Sequence, residues 1–268
     1  MRRFVFLPVL LTALWAADSQ PLTVTSSASA AVGVAADSLA GIFGDSISTQ
    51  TVSAGAPPWP TSLGDISAVI VTDSANRAQN AGILFISPSQ MNIYIPHGVA
   101  PGPATIQFPV TGLPRGAGTA ALRSVQVNIQ PAAPGVFSAA GTGRGVAAAT
   151  AVRVTIPTHI QSAVAVFFCT QPGMNAVGPM CSAVPIDVGL DAPVYVSLYG
   201  TGIRGASPVT VAIRGKTIQP TYAGPQGETP GLDQVNFLLP LELRGSGLVD
   251  VTVTAGGVTS NPVQLAIQ

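Results

Sequence analysis

One seven-residue pattern occurs twice in this chain and restricts what it can fold into. Gln90-Met-Asn-Ile-Tyr-Ile-Pro96 and Gln234-Val-Asn-Phe-Leu-Leu-Pro240 both read Gln-apolar-Asn-apolar-x-apolar-Pro, at an offset of 144 residues. Apolar residues at every second position mark a strand with one buried face. A closing proline, which has no N–H to give to a ladder, ends that strand. The parity assigns Met91, Ile93 and Ile95, and Val235, Phe237 and Leu239, to the core. Gln90 and Asn92, and Gln234 and Asn236, then share the other face. Their amides are expected to hydrogen-bond the preceding loop and so fix strand register, leaving Pro96 and Pro240 to stop the strands.

A repeat at this spacing implies two copies of one structural unit. The match extends beyond the motif. Ile42-Phe-Gly44 corresponds to Leu198-Tyr-Gly200, and Gly102-Pro-Ala-Thr-Ile106 to Gly247-Leu-Val-Asp-Val251. Around these lie short alternating runs at 22–25, 66–72, 83–86, 123–129, 209–213, 248–254 and 262–267, with 29 Gly and 24 Pro supplying the turns. Arg214-Gly215 and Gly256-Gly257 read as two-residue hairpin turns. About seven short strands per copy, with turns every eight to twelve residues, is the pattern of an immunoglobulin-like sandwich. The chain is therefore expected to be all-β, with two tandem immunoglobulin-like β-sandwich domains at 21–130 and 136–268. Pro131-Ala-Ala-Pro-Gly135 is expected to be the linker between them.

The N-terminus reads as an export signal over residues 1–17. Met1-Arg2-Arg3 precedes an apolar run from Phe4 to Trp15, too short to span a bilayer comfortably, and Ala16-Ala-Asp18 suits cleavage. The expected location is extracytoplasmic, secreted or periplasmic, without membrane insertion after the signal is removed. The two cysteines fit that compartment. Cys169 and Cys181 flank a turn-rich loop between two apolar runs, so a hairpin would bring the thiols together at its neck. A disulfide there is worth about 3 kcal/mol in the chain-entropy model.

Charged residues make up 8% of the chain, eleven basic against eleven acidic. Such a balance supplies no concentrated positive field, so nucleic acid is not an expected partner. Catalytic patterns are not evident. The two histidines, His97 and His159, stand in turns away from any triad setting, and no Gly-x-Ser-x-Gly elbow occurs. The acids are scattered singly, without a calcium-loop spacing. Gly141-Thr-Gly-Arg-Gly145 lacks the Lys-Ser/Thr of a phosphate loop and reads as a tight turn. Neither cofactor nor metal is expected. Trp59, inside Pro57-Pro-Trp-Pro60, reads as packing over a sandwich end or as an aromatic contact for a glycan. Tyr94, Tyr195, Tyr199 and Tyr222 read as core or rim.

Four segments carry a resemblance. Asp191-Ala-Pro-Val-Tyr-Val-Ser-Leu-Tyr-Gly-Thr-Gly-Ile-Arg-Gly205, Tyr222-Ala-Gly-Pro-Gln-Gly227, Pro230-Gly-Leu-Asp-Gln-Val-Asn236 and Ser260-Asn-Pro-Val263 closely resemble the Solibacter uncharacterized C-terminal domain family. Pro134-Gly-Val-Phe137 fits as well. The resemblance covers 190–268, and 35–145 as a diverged copy with Phe43-Gly-Asp-Ser in place of Tyr-Gly-Thr-Gly. It implies an exported acidobacterial protein of IPT/TIG-like immunoglobulin-like modules, and offers no catalytic residues to carry over. The functional expectation is a non-catalytic module for adhesion, assembly or spacing, with an unknown protein or surface polymer as partner. The alternative is a carbohydrate- or polymer-binding accessory protein.

Overall fold

The computed structural model describes residues 21–111, 121–170, 179–189 and 192–268. The signal-peptide reading of residues 1–17 lies outside them. The chain is all-β, and a 3-10 turn at Leu241–Leu243 is the sole helical element among the described residues.

In chain order the first strands are β1 (Thr23–Ser26), β2 (Val34–Ala35), β3 (Leu39–Phe43), β4 (Val52–Ser53), β5 (Ile70–Thr72), β6 (Ala78–Asn80), β7 (Gly82–Ile86), β8 (Gln90–Tyr94), β9 (Gly102–Val110) and β10 (Ala121–Gln130). They form two sheets, β1-β3-β8-β7-β4 and β2-β10-β9-β5-β6. The chain starts in one sheet, with β1 antiparallel to β3, and crosses to the other, with β2 parallel to β10. Between the sheets lies one apolar cluster fed by both, including Ile42, Met91, Ile93, Val71, Ile106 and Phe108.

The following strands are β11 (Gly135–Val136), β12 (Ala149–Thr155), β13 (Ile160–Val164), β14 (Phe167–Thr170), β15 (Met180–Ala183), β16 (Val194–Thr201), β17 (Val209–Ile213), β18 (Lys216–Ile218), β19 (Tyr222–Pro225), β20 (Asp233–Leu238), β21 (Gly247–Ala255), β22 (Val258–Thr259) and β23 (Val263–Ile267). One sheet runs β13-β12-β16-β20-β19, with β11 also on β16. The facing sheet runs β18-β17-β21, with β22 and β23 both on β21. A second apolar cluster, from Val136 to Ile267, fills the space between them. The two clusters share no residue, and they divide between Ile129 and Val136.

Register makes the internal repeat physical. Ile42 stands opposite Met91 and Phe43 opposite Gln90, as Leu198 stands opposite Val235 and Tyr199 opposite Gln234. Val71 pairs with Ile106 as Ile213 pairs with Val251. The parity of the repeated motif holds: Met91, Ile93, Ile95, Val235 and Phe237 are fully buried and Leu239 nearly so. Arg214 and Gly215 both take positive φ, 48° and 74°, as a hairpin turn matching strand twist requires.

The cysteines face each other across the β14–β15 hairpin and form a disulfide, with Cα atoms 4.1 Å apart. Val166 and Ile186 anchor the hairpin's base in the core, while Phe168 and Met180 are exposed. No described helix is long and apolar enough to cross a membrane.

Candidate functional site

The outward face of each motif-bearing sheet carries the same glutamine–asparagine pair. In β8 the Gln90 Nε2 donates to Asn92 Oδ1 at 2.8 Å, and in β20 Gln234 Nε2 donates to Asn236 Oδ1, also at 2.8 Å. The expectation that these amides bond the preceding loop is corrected here. Residues i and i+2 of a strand share a face, and the longer glutamine reaches its own asparagine before any loop. Gln234 has one further contact, to Ser197 Oγ at 3.4 Å.

Aromatic residues flank both amide pairs. Asn92 lies opposite Phe85 on one side and Gly41 on the other, and Gly41 lies opposite Thr25. Asn236 lies opposite Tyr222 and Ser197, and Ser197 opposite Thr150. Phe43 and Tyr199 occupy the same station beside Gln90 and Gln234. Tyr195 and Tyr222 are exposed on this outer face: in β16 the flanking Val194 and Val196 take the inward positions, and in β19 Tyr222 stands opposite the outward Asn236.

A seam joins the two cores. Leu39 N–H donates to Thr201 Oγ1 at 2.8 Å, and that hydroxyl donates to Gly231 O at 2.7 Å. Thr201 is fully buried. Gly231 has a positive φ of 84°, and a Cβ there would come within 2.7 Å of Leu39. Trp59 packs half-buried at the same seam, its Nε1–H donating to Pro230 O at 3.4 Å, with Gly82 under its Cβ. The ring is therefore engaged within the chain, as a packing role requires. Ala133 in the connecting segment donates to Gly202 O, so this stretch is held against the loop after β16.

Three buried acidic residues act as structural acceptors. Asp233 is fully buried. It accepts from Ile203 N–H at 2.7 Å, Arg204 N–H at 3.1 Å and Arg204 Nε at 2.5 Å, closing the Thr-Gly-Ile-Arg loop onto the Pro-Gly-Leu-Asp turn. Burial pushes its carboxyl up, against the pull of those N–H groups and the guanidinium. Asp73 accepts from the N–H groups of Ala75, Arg77 and Ala100 and from the Arg77 side chain. Those donors hold its carboxyl down at about 2. Asp65 ties Ser48 and Thr49 to the strand region before β5.

His97 Nδ1 lies 2.7 Å from Asp37, whose other oxygen accepts from Tyr94 O–H at 2.5 Å. Burial and the Asp37 carboxylate push the Tyr94 phenol up. No nucleophile joins this group among the described hydrogen bonds, and the His97 side chain is 88% exposed. Nor do three His, Cys, Asp or Glu residues gather into a metal-binding group among the described residues. Gly141, Gly143 and Gly145 take positive φ, and Thr142 N–H bonds Ser138 Oγ, giving the tight turn expected at 141–145.

Sequence reasoning brought Gln90, Asn92, Gln234 and Asn236 to one kind of face. It did not connect them to Thr25, Gly41 or the 141–143 turn. The usable signal was the pairing of Phe43 with Tyr199 inside the repeat. Comparison with known proteins adds nothing to these assignments: no family model matches the chain, and no curated protein matches it.

Proposed function

We propose that the chain is an exported, non-catalytic module protein that serves adhesion, assembly or spacing at the cell exterior, as a rigid two-unit arm. The observation that carries this reading is the buried hydroxyl of Thr201, which bonds Leu39 of one unit and Gly231 of the other. A hydroxyl buried in this way holds the units in one relation, since moving them apart takes the acceptor away from the Leu39 N–H. The disulfide supports an oxidising compartment, and so does the resemblance to exported acidobacterial modules. The buried carboxylates Asp65, Asp73 and Asp233 are each engaged in closing loops. The Trp59 indole N–H bonds Pro230 O within the chain, which favours its packing role over a glycan contact.

The test is a surface-adhesion or cell-aggregation assay in the producing cell. Deletion should reduce adhesion, and the intact chain should restore it. A chain with a flexible Gly-Ser insert after Pro134 should restore it poorly. Full restoration by the loosened chain, or turnover of ester, glycoside or peptide substrates by the purified protein, would overturn the reading.

A further inference from the structure

We propose that the cleft between the outer face of the β1-β3-β8 sheet and the 141–143 turn binds a sugar residue of a neutral polysaccharide. The cleft has a volume of about 330 Å³. That lies at the low end of small-molecule sites, about 300–1,000 Å³. Thr25, Ser27, Phe43, Gln90, Asn92 and Thr142 line it, and its lining includes no charged side chain.

Two hydroxyls in it are unspent. Thr25 is 7% exposed, and neither its Oγ1 nor the buried Ser27 Oγ has a hydrogen-bond partner. A buried hydroxyl without a partner costs about 1–3 kcal/mol, so such a group points to something that completes it. Above them the Gln90–Asn92 pair uses one N–H and one oxygen internally. Gln90 Oε1 and Asn92 Nδ2 have no partner among the described residues, which leaves an acceptor beside a donor. Phe43, 40% exposed, folds back over Gly41, where any Cβ would come within 2.7 Å of its ring. An apolar ring beside alternating donors and acceptors, with no charge nearby, suits the mixed C–H and O–H faces of a neutral sugar.

The second copy of the array is the internal control. Thr150 occupies the station of Thr25, and its Oγ1 lies 3.1 Å from the Tyr199 hydroxyl. Phe43 stands where Tyr199 does but has no hydroxyl, so in the first copy the threonine is left without a partner. Only the first copy is roofed by the 141–143 turn, where Gly143 packs so closely that a Cβ would meet Ala28 O at 2.9 Å. Around the threonine the copies thus differ by one hydroxyl and one roof, and beside the asparagine by Gly41 for Ser197 and Phe85 for Tyr222.

This inference is independent of the rigid-arm reading, which the flexible insert tests. Here the full exported chain is titrated by calorimetry with free glucose, xylose and mannose and with gluco-, xylo- and manno-hexaoses, with inorganic phosphate as the anionic control. At least one neutral sugar should bind; preference for a hexaose over its monosaccharide marks a polymer, and equal binding marks a free sugar. Phe43→Tyr should supply the missing hydroxyl and lower affinity about tenfold or more, with Tm unchanged or raised, since about 1.4 kcal/mol is tenfold. Asn92→Ala should weaken binding similarly, and Asn236→Ala should not. The proposal fails if no sugar binds at millimolar concentration, if Phe43→Tyr binds like the parent, or if phosphate displaces the sugar. Should Asn92→Ala fold poorly, Phe43→Tyr decides alone.

Discussion

Asp73 shows how a single carboxylate can govern a turn in this protein. It caps the 73–77 turn and reaches across to Ala100 N–H, and its carboxyl titrates at about 2 instead of 3.8. A carboxyl depressed by folding stabilises the folded state at every pH above its unfolded value. That stabilisation fades as pH falls from about 4 toward about 2. Asp73→Asn should therefore be less stable than the parent at neutral pH, with the gap closing by about pH 2. Urea denaturation across that range checks it; a gap that persists at pH 2 would mean that the charge is not the cause. Asp233 is a different case, since burial pushes its carboxyl up and the three N–H donors hold it in place.

At the scale of elements, the β14–β15 hairpin stands apart from the larger sheets. It forms a two-stranded sheet of its own, and such hairpins are marginal in water. Among its described residues, Val166 and Ile186 at the base enter the core and Phe167 packs against it. The disulfide sits farther out, between directly opposed residues. The double variant Cys169→Ser, Cys181→Ser should therefore fray the hairpin and cost at most about 3 kcal/mol globally. Hydrogen exchange should speed up at Phe168 and Ser182 while Val235 and Phe237 stay protected. Unchanged exchange at Phe168 would show that strand pairing alone holds the hairpin.

For the whole molecule, the relevant question is whether two cores behave as one. They share no buried apolar residue, yet Thr201 bonds across the seam between them. Thr201→Val keeps the shape but leaves Leu39 N–H and Gly231 C=O unpaired, a cost of about 2–4 kcal/mol. Thermal unfolding should then change from one cooperative transition to two. A single transition with an unchanged midpoint would mean that the seam contributes nothing.

The sequence by itself determined the strands, their parity and their duplication. Period-two alternation places Met91 and Phe237 inward whatever the partner strand, and prolines and glycines end runs for local steric reasons. The cysteine hairpin was legible for the same reason, since its turn is local. Tertiary structure alone decided how the amides are used and what surrounds them. Gln90 was assigned to a loop but bonds Asn92, a choice that depends on side-chain reach across a formed strand. Thr25, Phe43 and Thr142 lie far apart in sequence and meet only when β1 pairs with β3 and the 141–143 turn folds over them. Likewise Trp59, read from sequence as packing over a sandwich end or as a glycan contact, becomes part of a seam once Pro230 arrives beside it. Local sterics act over a few residues, so composition and spacing reveal them. Contacts between distant segments depend on closing long loops in one particular arrangement, and one strand's pattern does not encode that.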